Sequence, residues 1–376
     1  AGKSGAQAGN TVNSRVEVLI AENARFRTTE LFSAQAKSMI NKPWLPGDDF
    51  NVKVGSGGVI DGSAGASNTA LISLAKVIQG KNSRIDSIGI ESGDLEEDYG
   101  QSKIIGGTVN YNAVNEIVAY DNVRLDTGGA IGIAKTESKI TADQVNSEII
   151  LDENAVLKAI TANLGAQTKA SIETSANSKT YGAAGAAAGA SLSRLNTVNL
   201  VEIGKKALVE AEEINLGAGR DIDGMTNNVQ IMAFTDLYNN TAFPVKTDPE
   251  AVADAYQNNR IRIADGAKLL GIRDVNLLTT EGYQSVYGRG TGMDLYRAAG
   301  EKIANAFREL FGKEKISLKI TAGESLYGRN ILVYVDGTVQ TGVHSKEGLV
   351  FDLDGNLVAR TERMNYVIDG DYIDVQ

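Results

Sequence analysis

One short pattern, written repeatedly along the chain, constrains its fold more than any other feature. "SEIILDENAVLKA" (147–159) places two apolar residues two apart, then a small polar corner, then Ala, then an apolar residue two further on. "VEVLIAENARFRT" (16–28), "NEIVAYDNVRLDT" (115–127), "NLVEIGKKALVEA" (199–211) and "NRIRIADGAKLLG" (259–271) obey the same grammar. With corners set at Asn23, Asn122, Asn154, Lys206 and Gly266, the apolar places fall on Val18, Ile20, Ala24, Phe26 and their counterparts in each copy. Those counterparts include Ile117, Ala119, Val123, Leu125, then Ile149, Leu151, Ala155, Leu157, and later Val201, Ile203, Ala207, Val209. A weaker copy at 77–85 has its corner at Asn82, and "LKITAGESL" (318–326) offers another at Gly323.

Alternation with period two predicts strands, and an Asn or Gly corner predicts a turn using positive φ. A hairpin would pair the two strands of each unit with each other. In a β-solenoid each strand instead pairs with its counterpart in the next coil, about 4.8 Å along the axis. Repetition favours the solenoid, because like residues then stack on like. A second echo supports it: "GAS" ends Gly/Ala-rich tracts at 65–67 and 189–191, an offset of 191 − 67 = 124 that also carries Val77 onto Val201 and Asn82 onto Lys206. The corners are unevenly spaced, from 154 − 122 = 32 to 266 − 206 = 60 residues, so the longer intervals must hold more than one coil or an outward loop. The corner asparagines are expected to form an internal hydrogen-bonded ladder.

Composition agrees with tightly wound β-structure. Of 376 residues, 41 are Gly and only 4 are Pro, so turns abound while nearly every backbone N–H stays available to a ladder. Aromatic residues are 6% of the chain, which leaves the core to small and β-branched side chains. The net charge of −10 argues against a nucleic-acid partner, since phosphate recognition needs concentrated Lys and Arg. There is no cysteine, which excludes disulfides, thiol catalysis and Cys-ligated zinc. No signal peptide and no apolar span of about 18 residues is visible, so a soluble chain without membrane insertion is predicted, one cut from something longer.

Two segments depart from the pattern. "TDPEAVADAY" has Asp248 as an N-cap and Pro249 at the first helical place, which predicts a short helix over 248–256. In 291–312, Leu295, Ala299, Ile303, Ala306 and Leu310 share one helical face, predicting a helical insertion or a cap over the stack. Beyond 313, alternating strands break at Asp336-Gly337, Asp354-Gly355 and Asp369-Gly370, the signal of hairpin turns. The organisation predicted is therefore a solenoid region over 1–275, a helical segment over 276–312 and an all-β unit or further coils over 313–376.

Chemistry-bearing constellations are sparse. His344 is the only histidine, so a multi-histidine metal site is excluded and a histidine triad would have to use it. No phosphate-loop, dinucleotide or nucleophile-elbow motif is met. "DIDGM" (221–225) and "DLDGN" (352–356) suggest calcium, with Asp352, Asp354 and Asn356 the better ligands, but both lack the later Glu of a helix–loop–helix calcium site. Turn chemistry is the stronger reading of both. No catalytic residue and no cofactor other than calcium is predicted.

The "AENARFRT", "YDNVRLDT" and "DENAVLKA" units, with the Gly/Ala-rich tract before "LNTVNLVEIG", resemble the leukotoxin-like filamentous adhesins of Gram-negative anaerobes. More broadly they are similar to filamentous-haemagglutinin-type repeats, over roughly 10–275. The resemblance implies a right-handed parallel β-helix, secreted and displayed at or shed from the bacterial cell surface, a structural and virulence-associated role without enzyme activity. Its implied partners are a host-cell, glycan or neighbouring-cell surface, with homotypic end-to-end or lateral contacts. The helical segments and the Asp-Gly-rich end depart from that pattern. The rival readings are a polysaccharide-active β-helix enzyme and a toxin module.

Overall fold

The computed structural model describes residues 2–46, 49–91 and 104–294, with short strands between 308 and 375. It is mainly β, 84% strand, and no helix occurs among the described residues. Nearly all strands join one extensive sheet whose pairings are overwhelmingly parallel, an arrangement compatible with a β-solenoid.

The unit of this architecture is one long strand that doubles back on itself. Within Thr108–Leu151, Ser138 Oγ donates to Asp121 Oδ2 at 2.8 Å and Asn115 Nδ2 donates to Ser147 Oγ at 2.9 Å. Such contacts within a single strand require an outgoing leg of about 20 residues, a tip near Gly128 and Gly129, and a return leg. At roughly 3.3 Å per residue each leg runs about 66 Å. A four-residue corner and a short strand, Val156–Lys158, complete the rung. The next rung begins at Thr161, which lies beside Thr108, and the one after begins at Glu213 beside Thr161.

Successive rungs are in register over almost their whole length. Val18, Val77, Ile149, Val201 and Ile261 form one column, linked pair by pair as parallel neighbours. The offset of 124 is thus two rungs: Ser67 pairs with Ser138, and Ser138 with Ser191. Ile149, Leu151, Ala155, Leu157, Val201, Ile203, Ala207, Val209, Ile261, Ile263, Ala267 and Leu269 are all buried in one cluster, as their alternation predicts. Each large aliphatic side chain so buried contributes about 1.5–3 kcal/mol. At the first rung Ile20 is buried, whereas Phe26 is 45% exposed, because that rung has a neighbour on one side only.

The corners are four-residue turns stacked on one another. Asn23, Asn82, Asn154 and Lys206 are the non-glycine residues with positive φ among the described residues, at 53–59°, and Gly266 continues the column at 69°. In each, the following residue donates its N–H to the carbonyl three back, as Ala155 does to Asp152 at 3.1 Å and Ala207 to Gly204 at 3.0 Å. The corner N–H reaches the next rung: Asn154 N donates to Lys205 O at 3.0 Å and Lys206 N to Asp265 O at 3.1 Å. Positive φ at the third turn residue is the type II pattern.

Asn122 is not a corner. It lies within the unbroken strand Thr108–Leu151, with Asp121 pointing inward and fully buried. A four-residue turn preserves the parity of alternation, so strand–turn–strand and plain strand give the same apolar spacing. With Asn122 removed, corner spacings become 82 − 23 = 59, 154 − 82 = 72, 206 − 154 = 52 and 266 − 206 = 60 residues, one rung each. The longest interval contains the antiparallel pair Ile90–Glu91 and Ile104–Ile105.

The helix predicted over 248–256 is strand, part of Asn228–Ile263. Asp248, Pro249 and Glu250 pair with Ala188, Gly189 and Ala190, and Ala251 and Ala253 turn inward to 1% and 4% exposure. The helix-start signal is local and weak, and it loses to a register fixed along the whole neighbouring leg. The helix predicted over 291–312 is also not observed where its ends are described. Tyr283–Asp294 is a strand, and Arg308–Phe311 pairs antiparallel with it. Residues 295–307 and 312 lie outside the described residues.

After 313 two kinds of pairing occur. Arg329–Val333 with Val339–His344 and Gly348–Phe351 with Leu357–Thr361 are antiparallel pairs flanking Asp336-Gly337 and Asp354-Gly355. Arg363–Asp369 and Ile373–Val375 instead lie parallel to Lys268–Thr280 and Asn228–Ile263.

Candidate functional site

The outward face of the stack carries an asparagine ladder. Asn163 Nδ2 donates to Asn110 Oδ1 at 2.9 Å, Asn215 Nδ2 to Asn163 Oδ1 at 2.8 Å, and Asn276 Nδ2 to Asn215 Oδ1 at 2.6 Å. The register places Asn365 next in the column, beside Asn276. Each amide both donates and accepts along the stack, so the row is held at the inter-strand spacing of about 4.8 Å. The ladder predicted at the corners exists at one step, where Asn154 Nδ2 donates to Asn82 Oδ1 at 3.2 Å. The longer ladder has its own sequence signal, "NLGA" at 163–166 and again at 215–218, which corner-based alignment passes over.

Beside the ladder the chain leaves the stack in one tight loop, 219–227. Pairing with the preceding rung ends at Gly217 beside Gly165 and resumes with Asn228 beside Lys169. Buried side chains from the neighbouring rung hold the loop. Gln167 Nε2 donates to the carbonyls of Met225 (2.6 Å) and Thr226 (2.7 Å), and Thr168 N donates to Asn227 Oδ1 (2.8 Å). Asp221 Oδ1 accepts from the backbone N–H groups of Asp223 (3.1 Å) and Met225 (2.8 Å). The first acid of "DIDGM" is therefore a turn-forming group, as its turn reading anticipates. Asp352, Asp354 and Asn356 of the second Asp-Gly candidate lie outside the described residues.

The loop folds over Gly165 and Gly217. A Cβ at Gly165 would stand 2.6 Å from the Asp221 carbonyl carbon and the Ile222 nitrogen, so the loop's path depends on that missing side chain. Between the loop and the ladder lies a cleft of about 400 Å³, lined by Asn163, Asn215, Asn276, Glu213, Arg220 and Leu278 among others. Two of its carboxylates already have partners. Glu213 accepts from Arg273 at 3.0 Å and from Asn215 Nδ2 at 2.9 Å, while Asp221 is 6% exposed and caps its own loop. The half-buried Arg220 guanidinium makes no hydrogen bond or ion pair with the described residues.

A second surface lies at the tips. Val59, Ile60, Ile131, Ile133 and Tyr181 are exposed there, Val59 to 74%, within Gly/Ala-rich sequence. Ile60 pairs with Ile131 and Ala184 continues that column, so the apolar residues form an edge running across rungs. A Cβ on Gly182 would overlap the Gly129 carbonyl oxygen, which explains glycine at this crowded bend.

Deep in the stack, Asp121 accepts from Lys42 Nζ, Ser67 Oγ and Ser138 Oγ, each at 2.8 Å. The Tyr111 phenol donates to Gln79 Oε1 at 2.9 Å, and burial pushes its pKa well above the ordinary value. These polar groups tie rungs together. Against known proteins, the chain matches no family model, no characterised protein and no solved structure.

Proposed function

We propose that this chain is an adhesive and structural segment of a bacterial surface or secreted filament, a right-handed β-helix that works by display. The supporting observation is the stacked column of corners Asn23, Asn82, Asn154, Lys206 and Gly266, in which like residues repeat and satisfy one another's backbone groups. A stack of this kind leaves its outward faces and tips as the surfaces on which loops and side chains vary. The cleft over the asparagine ladder and the apolar tip edge are two such surfaces, one suited to a polar ligand and one to lateral contact with another copy.

The test is attachment. Beads coated with the purified chain are expected to adhere to host epithelial cells or glycan-coated surfaces above beads coated with an inert protein. Release of reducing sugars from a panel of polysaccharides, dependent on the chain, would replace this reading with that of a polysaccharide-active enzyme.

A further inference from the structure

We propose that the cleft between loop 219–227 and the asparagine ladder binds an acidic saccharide, with Arg220 receiving its carboxylate and the ladder amides its hydroxyls. The inference rests on the adhesive reading and names a ligand class for it. Three observations carry it.

First, the cleft is preformed. Gln167, Thr168, Asn227 and the Asp221 turn hold the loop at backbone atoms, and Gly165 leaves room beneath it. A ligand entering it orders little, which preserves affinity.

Second, the charges in the cleft are unequally committed. Glu213 is occupied by Arg273 and Asn215, and Asp221 by its own backbone, whereas the Arg220 guanidinium has no partner among the described residues. It lies against Gly224, while the Arg220 Cβ and Cγ lie over Gly217. A half-buried guanidinium without a carboxylate presents a planar fork of donors suited to one oxyanion.

Third, the surrounding groups suit hydroxyls. Asn163 uses one amide hydrogen on Asn110 and keeps the other, and its oxygen has a second lone pair beyond the bond from Asn215. Leu278 adds a small apolar surface of the kind a sugar ring covers. With the whole chain at −10, a densely sulfated polymer is repelled, while one carboxylate per few sugars meets one guanidinium.

The test is calorimetric titration of the full chain with three oligosaccharides of equal length: one bearing uronic acid, one sulfated, one uncharged. Arg220→Gln is compared with Arg25→Gln, which removes an exposed arginine on the first rung. Binding of the uronic oligosaccharide is expected, weakened at least about tenfold by R220Q and unchanged by R25Q. Arg220-dependent binding of the sulfated sugar alone would keep the oxyanion site and change the oxyanion. Equal binding of the uncharged sugar, equal binding by R220Q, or no binding of any of the three would overturn the proposal. Circular dichroism and melting of R220Q, expected to match the parent, separate loss of the site from loss of the fold. Bead attachment that persists in R220Q after titration has failed would reject the cleft and leave the adhesive reading standing.

Discussion

At the scale of single residues, backbone conformation and desolvation set what each position tolerates. Asn154 sits at a φ of 57° and bonds to Asn82, so it combines a left-handed backbone with a rung-to-rung contact. Asn154→Val forces a β-branched side chain into that conformation and removes the bond, at an expected cost of about 2 kcal/mol. Lys206 holds the same conformation without an amide side chain, so Lys206→Asn is expected to stabilise by about 0.5 kcal/mol. Urea midpoints measure both, and an unchanged midpoint for N154V would reject the corner geometry. Glu173 has Tyr120 and Met232 as its parallel neighbours, and burial raises its carboxyl pKa. The folded state therefore holds this proton more tightly than the unfolded chain. Its stabilising contribution is complete below the ordinary value of 4.5 and is lost as pH rises through the raised folded value. Glu173→Gln removes that loss, so its gain in Tm over the parent should be larger near neutrality than below pH 4.5. A gain independent of pH would contradict the burial of the charge.

At the scale of elements, the loop and the legs respond to different constraints. Loop 219–227 is held by Gln167 and Thr168 of one neighbouring rung and, at Asn227, by Tyr283 N of the other, and its path crosses Gly165. Gly165→Ala is expected to lift the loop while leaving the legs paired. The readout is faster proteolysis at 219–227, with a far-UV spectrum matching the parent. An unchanged cleavage rate would show that the glycine is not needed for the loop's path. The legs behave differently because each is held along its whole length. That is why Asp248-Pro249-Glu250, a local helix-start signal, is drawn out as strand beside Ala188, Gly189 and Ala190. It is also why Asn122 stays in a straight leg: Lys42, Ser67 and Ser138 fix the inward carboxylate of Asp121 beside it.

At the scale of the whole molecule, stability is distributed by position in the stack. Thr161–Ile203 has a parallel partner on both sides over nearly all its length, whereas Gly2–Ile20 pairs on one side only. Amide hydrogen exchange should therefore be slowest in Thr161–Ile203 and fastest in Gly2–Ile20, a gradient that follows the rungs. Uniform protection would contradict a stack built from neighbour-to-neighbour contacts. The legs, at about 66 Å, exceed the height of the few described rungs at about 4.8 Å each. This segment is thus broader than it is tall, and a filament would require further rungs above or below it.

The sequence by itself determined the strand alternation, the inward columns such as Val77, Ile149, Val201 and Ile261, and five of the corners once Asn82 is included with Asn23, Asn154, Lys206 and Gly266. These are properties of period and of backbone chemistry, which each residue carries locally. The tertiary structure alone decided which Asn is a corner and which lies in a leg, since both keep the same parity. It alone decided that 248–256 is strand, because the pairing that overrides local propensity comes from residues some sixty positions away. It alone assembled the cleft, because Asn163, Asn215 and Asn276 become neighbours only when rungs of unequal length stack in register.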